Sequence, residues 1–297
     1  MEIDIEQWVA EAPREFLLAR QASHVILRAV ASDERLRTSM IIKGGTLLGI
    51  RYGSTRATTD IDFSTEKKLS EINLEEFEKT LNDAMDLVES YLNYGIKCRL
   101  QSRKPEPNAH GTFPTIKMKI GYCLRSNISH MKRLDEKNCP LVIAIDYSCN
   151  EKSYNVEMLQ FDDEEIQAYD ICDLLAEKLR SILQQEVRNR SREQDIYDVN
   201  YLLTTIEPLN EIEKGKVHSS LIRKSQGKNI DYLLNQNGMD NENIRKRSGE
   251  KYPLLRLTVK ELPDFDESYS RVATFFKSLP WLEDKPKENN TSTLQET

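Results

Sequence analysis

Two short stretches carry residues whose types and spacing could do phosphoryl chemistry. The first is Lys43-Gly44-Gly45-Thr46. Paired glycines open backbone conformations closed to other residues and let a ligand approach the main chain. Thr46 offers a hydroxyl placed to cap the helix that Leu47, Leu48 and Ile50 suggest. A helix N-terminus beside bare N–H groups attracts anions. The second stretch is Asp60-Ile61-Asp62-Phe63. In a strand, residues two apart share a face, so both carboxylates point one way and Ile61 points to the core. Adjacent carboxylates repel, and a divalent cation relieves them. Mg²⁺ favours one or two carboxylates with phosphate oxygens and water. A phosphate cradle followed by Asp60 and Asp62 as metal ligands reads as metal-assisted phosphoryl or nucleotidyl transfer.

The elements that must position these residues follow from the pattern. Ser39-Met40-Ile41-Ile42 is a short buried strand before the glycines. Residues 13–31 place Phe16, Leu17, Val25, Ile26, Leu27 and Val30 on a preceding helix. Residues 72–92 set Phe77, Leu81, Ala84, Val88 and Tyr91 at steps of four and three, an amphipathic helix with an acidic outer face. Residues 97–103 and 115–120 alternate as half-exposed strands, and Lys97, Arg99, Lys117 and Lys119 could line one side of a sheet. Lys104 through Gly111 is the loop between them. Pro140 to Ser148 is an apolar strand ending in Asp146. Either Asp146 meets water there, or it joins Asp60 and Asp62 as the base for an attacking hydroxyl. Residues 170–185 form a helix that carries Lys178. Asp195 and Asp198 lie one turn apart on a further helix, preceded by Arg188, Arg190 and Arg192.

The string Lys43-Gly44-Gly45-Thr46 with Arg56-x-Thr58-x-Asp60-Ile61-Asp62 resembles the AbiEii/AbiGii toxin branch of the DNA polymerase β-type nucleotidyltransferases, to which the MenT toxins belong. Ala176-Glu177-Lys178-Leu179 and the later Arg192/Asp195/Asp198 block extend the resemblance over roughly residues 15–205. The family pattern sets Arg and Asp side by side, whereas Glu193 and Gln194 here separate Arg192 from Asp195. The resemblance implies that Gly44, Gly45 and Thr46, with Lys43 and Arg56, bind the NTP phosphates. It implies that Lys178 contacts them too, and that Asp195 or Asp198 holds that lysine or assists the chemistry. It also implies a toxin of a toxin–antitoxin or phage-defence system, with a cognate antitoxin from a neighbouring gene. Some members of the branch add nucleotides to the 3′ end of tRNA and so stop translation.

Composition bounds the rest. A chain of 297 residues with 38% hydrophobic and 31% charged residues can bury a full core under a solvated surface. No run approaches a membrane span, and the acidic N-terminus lacks a signal pattern, so a cytoplasmic protein is expected. Five scattered cysteines without CxxC spacing, and four histidines, argue against a zinc site or a disulfide scaffold. The net charge of −7 is unevenly spread. Residues 60–90 carry ten acids against three bases, residues 97–137 ten bases against three acids, and residues 214–251 nine bases against four acids. The two basic segments are compatible with a tRNA track or with solvated faces.

The expected fold is α+β: a nucleotidyltransferase core with a small mixed β-sheet flanked by helices, then a helical C-terminal domain. The expected divisions are an N-terminal helical segment (1–38), the core (39–165), the helical domain (166–282) and a disordered tail (283–297). The expected activity is Mg²⁺-dependent transfer of NMP from an NTP, with Mn²⁺ as a substitute ion, to an acceptor that is tRNA, a protein or a small antibiotic-type molecule. Asp60, Asp62, Asp146, Lys178 and Asp195 would carry the catalysis, and Lys43, Gly44, Gly45, Thr46, Arg56 and Asp198 the nucleotide.

Overall fold

A computed structural model describes residues 2–58, 60–107, 111–161 and 163–281. The tail expected at 283–297 lies outside the described residues, as does part of the loop expected to end at Gly111. In chain order the elements are β1 (Glu2–Ile3), α1 (Ile5–Ala10), α2 (Leu17–Ser32), α3 (Glu34–Arg37), β2 (Ile41–Lys43), α4 (Gly44–Tyr52), β3 (Asp60–Ser64) and α5 (Leu74–Val88). Next come β4 (Ile96–Glu106), β5 (Thr115–Leu124), α6 (Ile128–Asp135), β6 (Val142–Ser148), β7 (Val156–Phe161) and β8 (Glu164–Tyr169). The chain continues through α7 (Ile171–Leu183), α8 (Glu193–Thr205), α9 (Glu211–Ser225), α10 (Glu242–Glu250) and α11 (Phe265–Lys277).

One mixed sheet of eight strands, in the order β1-β7-β8-β2-β3-β6-β5-β4, forms the centre. Alternation along β3 decides its two faces. Ile61 and Phe63 are buried, and α5 covers that side, where Phe77 stacks on Tyr147 of β6 at 5.6 Å. Asp60 and Asp62 take the other side. The parallel pairing of β3 with β6 sets Asp62 directly opposite Asp146, and β5 continues the row with Lys117. Neighbouring strands lie about 4.8 Å apart, so these side chains stand next to one another. The pattern of the sequence dictates this: apolar residues at every second position leave the acids no other face.

Several boundaries depart from expectation for local reasons. The first long helix starts at Leu17, because residues after Pro13 form a turn. Helix α5 ends at Val88, and Tyr91 beyond it is 68% exposed, off the apolar stripe. Lys104, Pro105 and Glu106 belong to β4 and not to a loop. Proline is tolerated there because β4 is the edge strand, where a missing N–H need not break a ladder. The hairpin β7–β8 had no counterpart in the motif reading. The last helix docks through buried Phe275 and Phe276, with Leu279 just beyond it also buried.

The charge imbalance also resolves in the fold. Glu78 and Asp86 of α5, with Glu89 at its C-terminal end, face the basic strand segment. Glu78 pairs with Arg103 and Lys137, Asp86 with Lys97 and Arg99, and Glu89 with Lys97 and Arg125. Register does put Lys97, Arg99, Lys117 and Lys119 on one side of the sheet. Lys97 and Arg99 are nevertheless neutralised, so most of the 97–137 excess is no track for phosphates.

Candidate active site

The glycine pair opens α4 and does not precede it. Lys43 is the N-cap residue and gives no side-chain cap, which leaves the first-turn N–H groups without a capping side chain. Thr46 does not cap the helix either. Its Oγ1 donates to the Asp60 carbonyl at 2.7 Å and ties α4 to β3. Gly44 has φ +73°, and a Cβ there would overlap the Asp62 carboxylate, with the carboxyl carbon at 2.7 Å. A Cβ on Gly45 would lie 2.7 Å from the Arg56 guanidinium. Each glycine is thus the bed for one charged side chain. Gly44→Ala should therefore cut transfer about 100-fold by displacing Asp62, since misplacement on the 1 Å scale costs about that much. Steady-state rates at saturating NTP would check this, and a loss below about fivefold would show that Asp62 tolerates the shift.

The acids are gathered but turned to different partners. Thr58 Oγ1 donates a short hydrogen bond to Asp60. Lys117 Nζ reaches the Asp146 carboxylate at 3.0 and 3.2 Å. Burial, with the charge of Asp60 added, pushes Asp62 up to about 7, and Lys43 only partly offsets this. Among the described residues no three His, Cys, Asp or Glu side chains converge as a ready metal site. The donor chemistry still fits a hard dication: Asp60 and Asp62 are oxygen donors on adjacent rows of one face, and the crowded Asp62 charge lacks relief.

A second cluster stands behind Gly45. Arg56 donates two hydrogen bonds to Asp198, at 2.8 and 3.0 Å. Lys178 donates to Asp198 at 2.6 Å and to Asp195 at 3.1 Å. Arg192 completes the group 3.7 Å from Asp195. Burial opposes charge on Asp198, but Lys178 and Arg56 outweigh it and hold its pKa below the ordinary value. Burial likewise opposes charge on Lys178, and Asp198 and Asp195 raise its pKa despite that. Lys178, expected at the phosphates, is thus engaged with two carboxylates, and Asp198 clasps Arg56 against the glycine pair.

Lys43 points away from the α5 face, in the row of Asp62. It is 4% exposed and held by Glu151 and Glu177, each at 3.0 Å. It forms one wall of a cleft of about 370 Å³ that also takes Arg180, Arg188, Arg223, Lys224 and Lys228. Lys152 is a seventh cation there, against only Glu151 and Glu177. Lys224 is paired with Asp173. Arg188, Arg223 and Lys228 have no carboxylate within ion-pair range among the described residues. Burial, with Arg180 and Arg188 adding repulsion, lowers Lys228 to about 8. Such a cleft is charged for an anion. Its cations come from four separate segments, β2, the β6–β7 connection, α7 with its following turn, and α9 with the residues after it, and only Lys43 and Arg188 stood out singly in the sequence. A basic run in α10, Arg245-Lys246-Arg247, lies outside this cleft, with Arg245 paired to Asp266.

A family profile described as nucleotidyl transferase AbiEii toxin, type IV toxin–antitoxin system, matches residues 25–271. Two solved structures share the fold. One is a presumptive nucleotidyltransferase from Helicobacter pylori, 15% identical, with a TM-score of 0.51, aligned over 90% of this chain and 95% of that one. The other is JHP933 from Helicobacter pylori, 15% identical, with a TM-score of 0.50, aligned over 90% and 92%. No curated protein matches the chain.

Proposed function

Because the chain belongs to the AbiEii nucleotidyltransferase toxin family, we propose that it transfers a nucleoside monophosphate from an NTP to the 3′ end of tRNA and so stops translation. The family brings with it an NTP substrate and an antitoxin partner. The acceptor is the step that the family alone does not supply. The observation that carries it is the cationic cleft sharing Lys43 and Glu177 with the surroundings of Asp62. A nucleic-acid end needs its backbone phosphates neutralised. A cationic antibiotic would be repelled by the same cleft, and a protein hydroxyl has no use for it. No described helix is long and apolar enough to cross a membrane, and the reaction belongs in the cytoplasm, where NTP and tRNA meet.

In this reading the N–H groups at Gly44, Gly45 and Thr46 receive the triphosphate, with Arg56 and Lys178 supplying positive potential from behind. Asp60 and Asp62 would hold Mg²⁺, or Mn²⁺ in its place, which would supply charge neutralisation at the reacting phosphates. The acceptor hydroxyl gives its proton to Asp146. Its oxygen bonds to the α-phosphorus, the bond from that phosphorus to the bridging oxygen breaks, and pyrophosphate leaves. Glu177, Glu151 and Lys43 keep the cleft wall in place.

The test is incubation of the protein with total tRNA, Mg²⁺ and each α-labelled NTP in turn. Label should enter tRNA with one nucleotide and vanish in the Asp60→Ala/Asp62→Ala variant. Label on protein, or on added small acceptors in preference to tRNA, overturns the tRNA reading.

A further inference from the structure

Among the described residues, Lys117 is the one cation paired with the acid row from the side opposite the nucleotide cradle. It stands on β5 in register with Asp146, which stands in register with Asp62, which stands in register with Lys43. Its ammonium sits at 3.0 and 3.2 Å from the two Asp146 oxygens. Both side chains are open, at 48% and 35% exposure. An exposed pair of this kind contributes little to stability, so holding the fold together does not account for it. Two strand positions on, Lys119 is exposed and has no ion-pair partner among the described residues. In the next strand Lys104 lies in register with Lys117, 76% exposed and 3.8 Å from Glu106. The other bases of these two strands, Lys97, Arg99 and Arg103, differ in being paired with acids of α5 or its end. Lys117, Lys119 and Lys104 therefore form a short basic strip that starts at Asp146 and runs outward across the sheet.

We propose that Lys117 is a positioning residue for the acceptor: it holds Asp146 in the free enzyme and passes to a backbone phosphate of the acceptor strand when that strand enters. The inference rests on the reading of Asp146 as the base and of the acceptor as a polyanion. A phosphate on this side competes with Asp146 for the same ammonium. Once Lys117 moves, the carboxylate is left with the acceptor hydroxyl as its nearest proton donor. Without an acceptor, Asp146 stays occupied, and water is a poor nucleophile at the bound NTP. Lys119 and Lys104 extend the contact to the next phosphates. The device thus links base availability to the arrival of the correct partner.

The experiment compares wild type, Lys117→Met and Lys117→Arg with tRNA as acceptor, over a range of tRNA concentrations and at several salt concentrations. It also measures NMP release from NTP without tRNA. Lys117→Met should raise the KM for tRNA about tenfold, the scale of one lost charge-assisted contact, with kcat within about threefold. The slope of log affinity against log salt should shrink by about one. Idle NMP release should rise at least severalfold, and Lys117→Arg should restore both tRNA affinity and low idle turnover. A KM for tRNA unchanged in Lys117→Met, or a fall in kcat alone, overturns the proposal while leaving the tRNA reading intact. A wild-type protein that labels no RNA overturns the acceptor reading and this proposal with it. Thermal melting of each variant reports folding, and the exposure of Lys117 makes unchanged melting the expected result.

Discussion

Asp62→Asn should lower nucleotide transfer about 10³-fold, the equivalent of several kcal/mol of lost charge stabilisation. The same change should raise the melting temperature. The two effects have one cause. Asp62 is packed on Gly44, beside Asp60, and its proton affinity is pushed up to about 7 by burial and by that neighbour. A group whose folded pKa is raised stabilises the fold fully only below its unfolded pKa, and that benefit is lost as pH rises through the folded value. At pH 8, without divalent ions, the ionised carboxylate is therefore a liability that Asn removes. Activity at the expense of stability is a common bargain in enzyme sites. Thermal scans at pH 8, beside initial rates with saturating NTP, measure both halves. Transfer that stays within about tenfold of wild type would show that Asp62 is no metal ligand.

Asp198→Ala should be the most destabilising single change in the site, at about 3–5 kcal/mol, because it leaves two buried cations without their shared partner. For a chain of this size that is a fall of roughly 10 °C in Tm. Arg56 and Lys178 would then repel each other across the space that the carboxylate filled. Activity should fall as well, because Arg56 would leave Gly45. Asp195→Ala should cost less, since Asp195 meets only one of those two cations and leaves Asp198 to hold both. The pH dependence follows from the lowered pKa of Asp198. Its contribution is complete above the ordinary Asp range near 4 and is lost as pH falls through the lowered value. The gap between wild type and Asp198→Ala should therefore be widest near neutrality and narrow below about pH 4. Equal melting of the two proteins at pH 7 would sink this account of the clasp.

How much of this was legible follows from how local each signal is. Gly44, Gly45, Asp60 and Asp62 lie within 20 residues, and strand alternation alone fixes the face of the two acids. Asp146 could be paired with them because an apolar strand ending in an acid is a recognisable form, although only the sheet order makes it their neighbour. Thr46 illustrates the limit. Its position suggested a cap, but the nearby Asp60 carbonyl captures the hydroxyl, a partner that propensity does not contain. Lys43 was assigned to phosphates from its place before the glycines. Its carboxylate partners, Glu151 and Glu177, lie more than a hundred residues away and have no motif of their own. The opposite charges of residues 60–90 and 97–137 were visible as numbers. Their mutual neutralisation needed the packing of α5 beside β4. The cationic cleft was least legible, because it draws its cations from β2, from the β6–β7 connection, from α7 and its following turn, and from α9 and the residues after it.

The clasp on the cradle has a consequence for the order of synthesis. Residues 44–57 are made early, yet what fixes them is made late. Asp198 holds Arg56, the Tyr201 hydroxyl donates to the Tyr52 carbonyl, and the Ala57 N–H donates to the Thr258 carbonyl. A ribosome that has released only the first two hundred residues has exposed a glycine cradle without its full brace. The glycine cradle is thus finished by residues that emerge about 140 to 200 positions after it. Competence for transfer is thereby postponed until the segment through Thr258 has emerged.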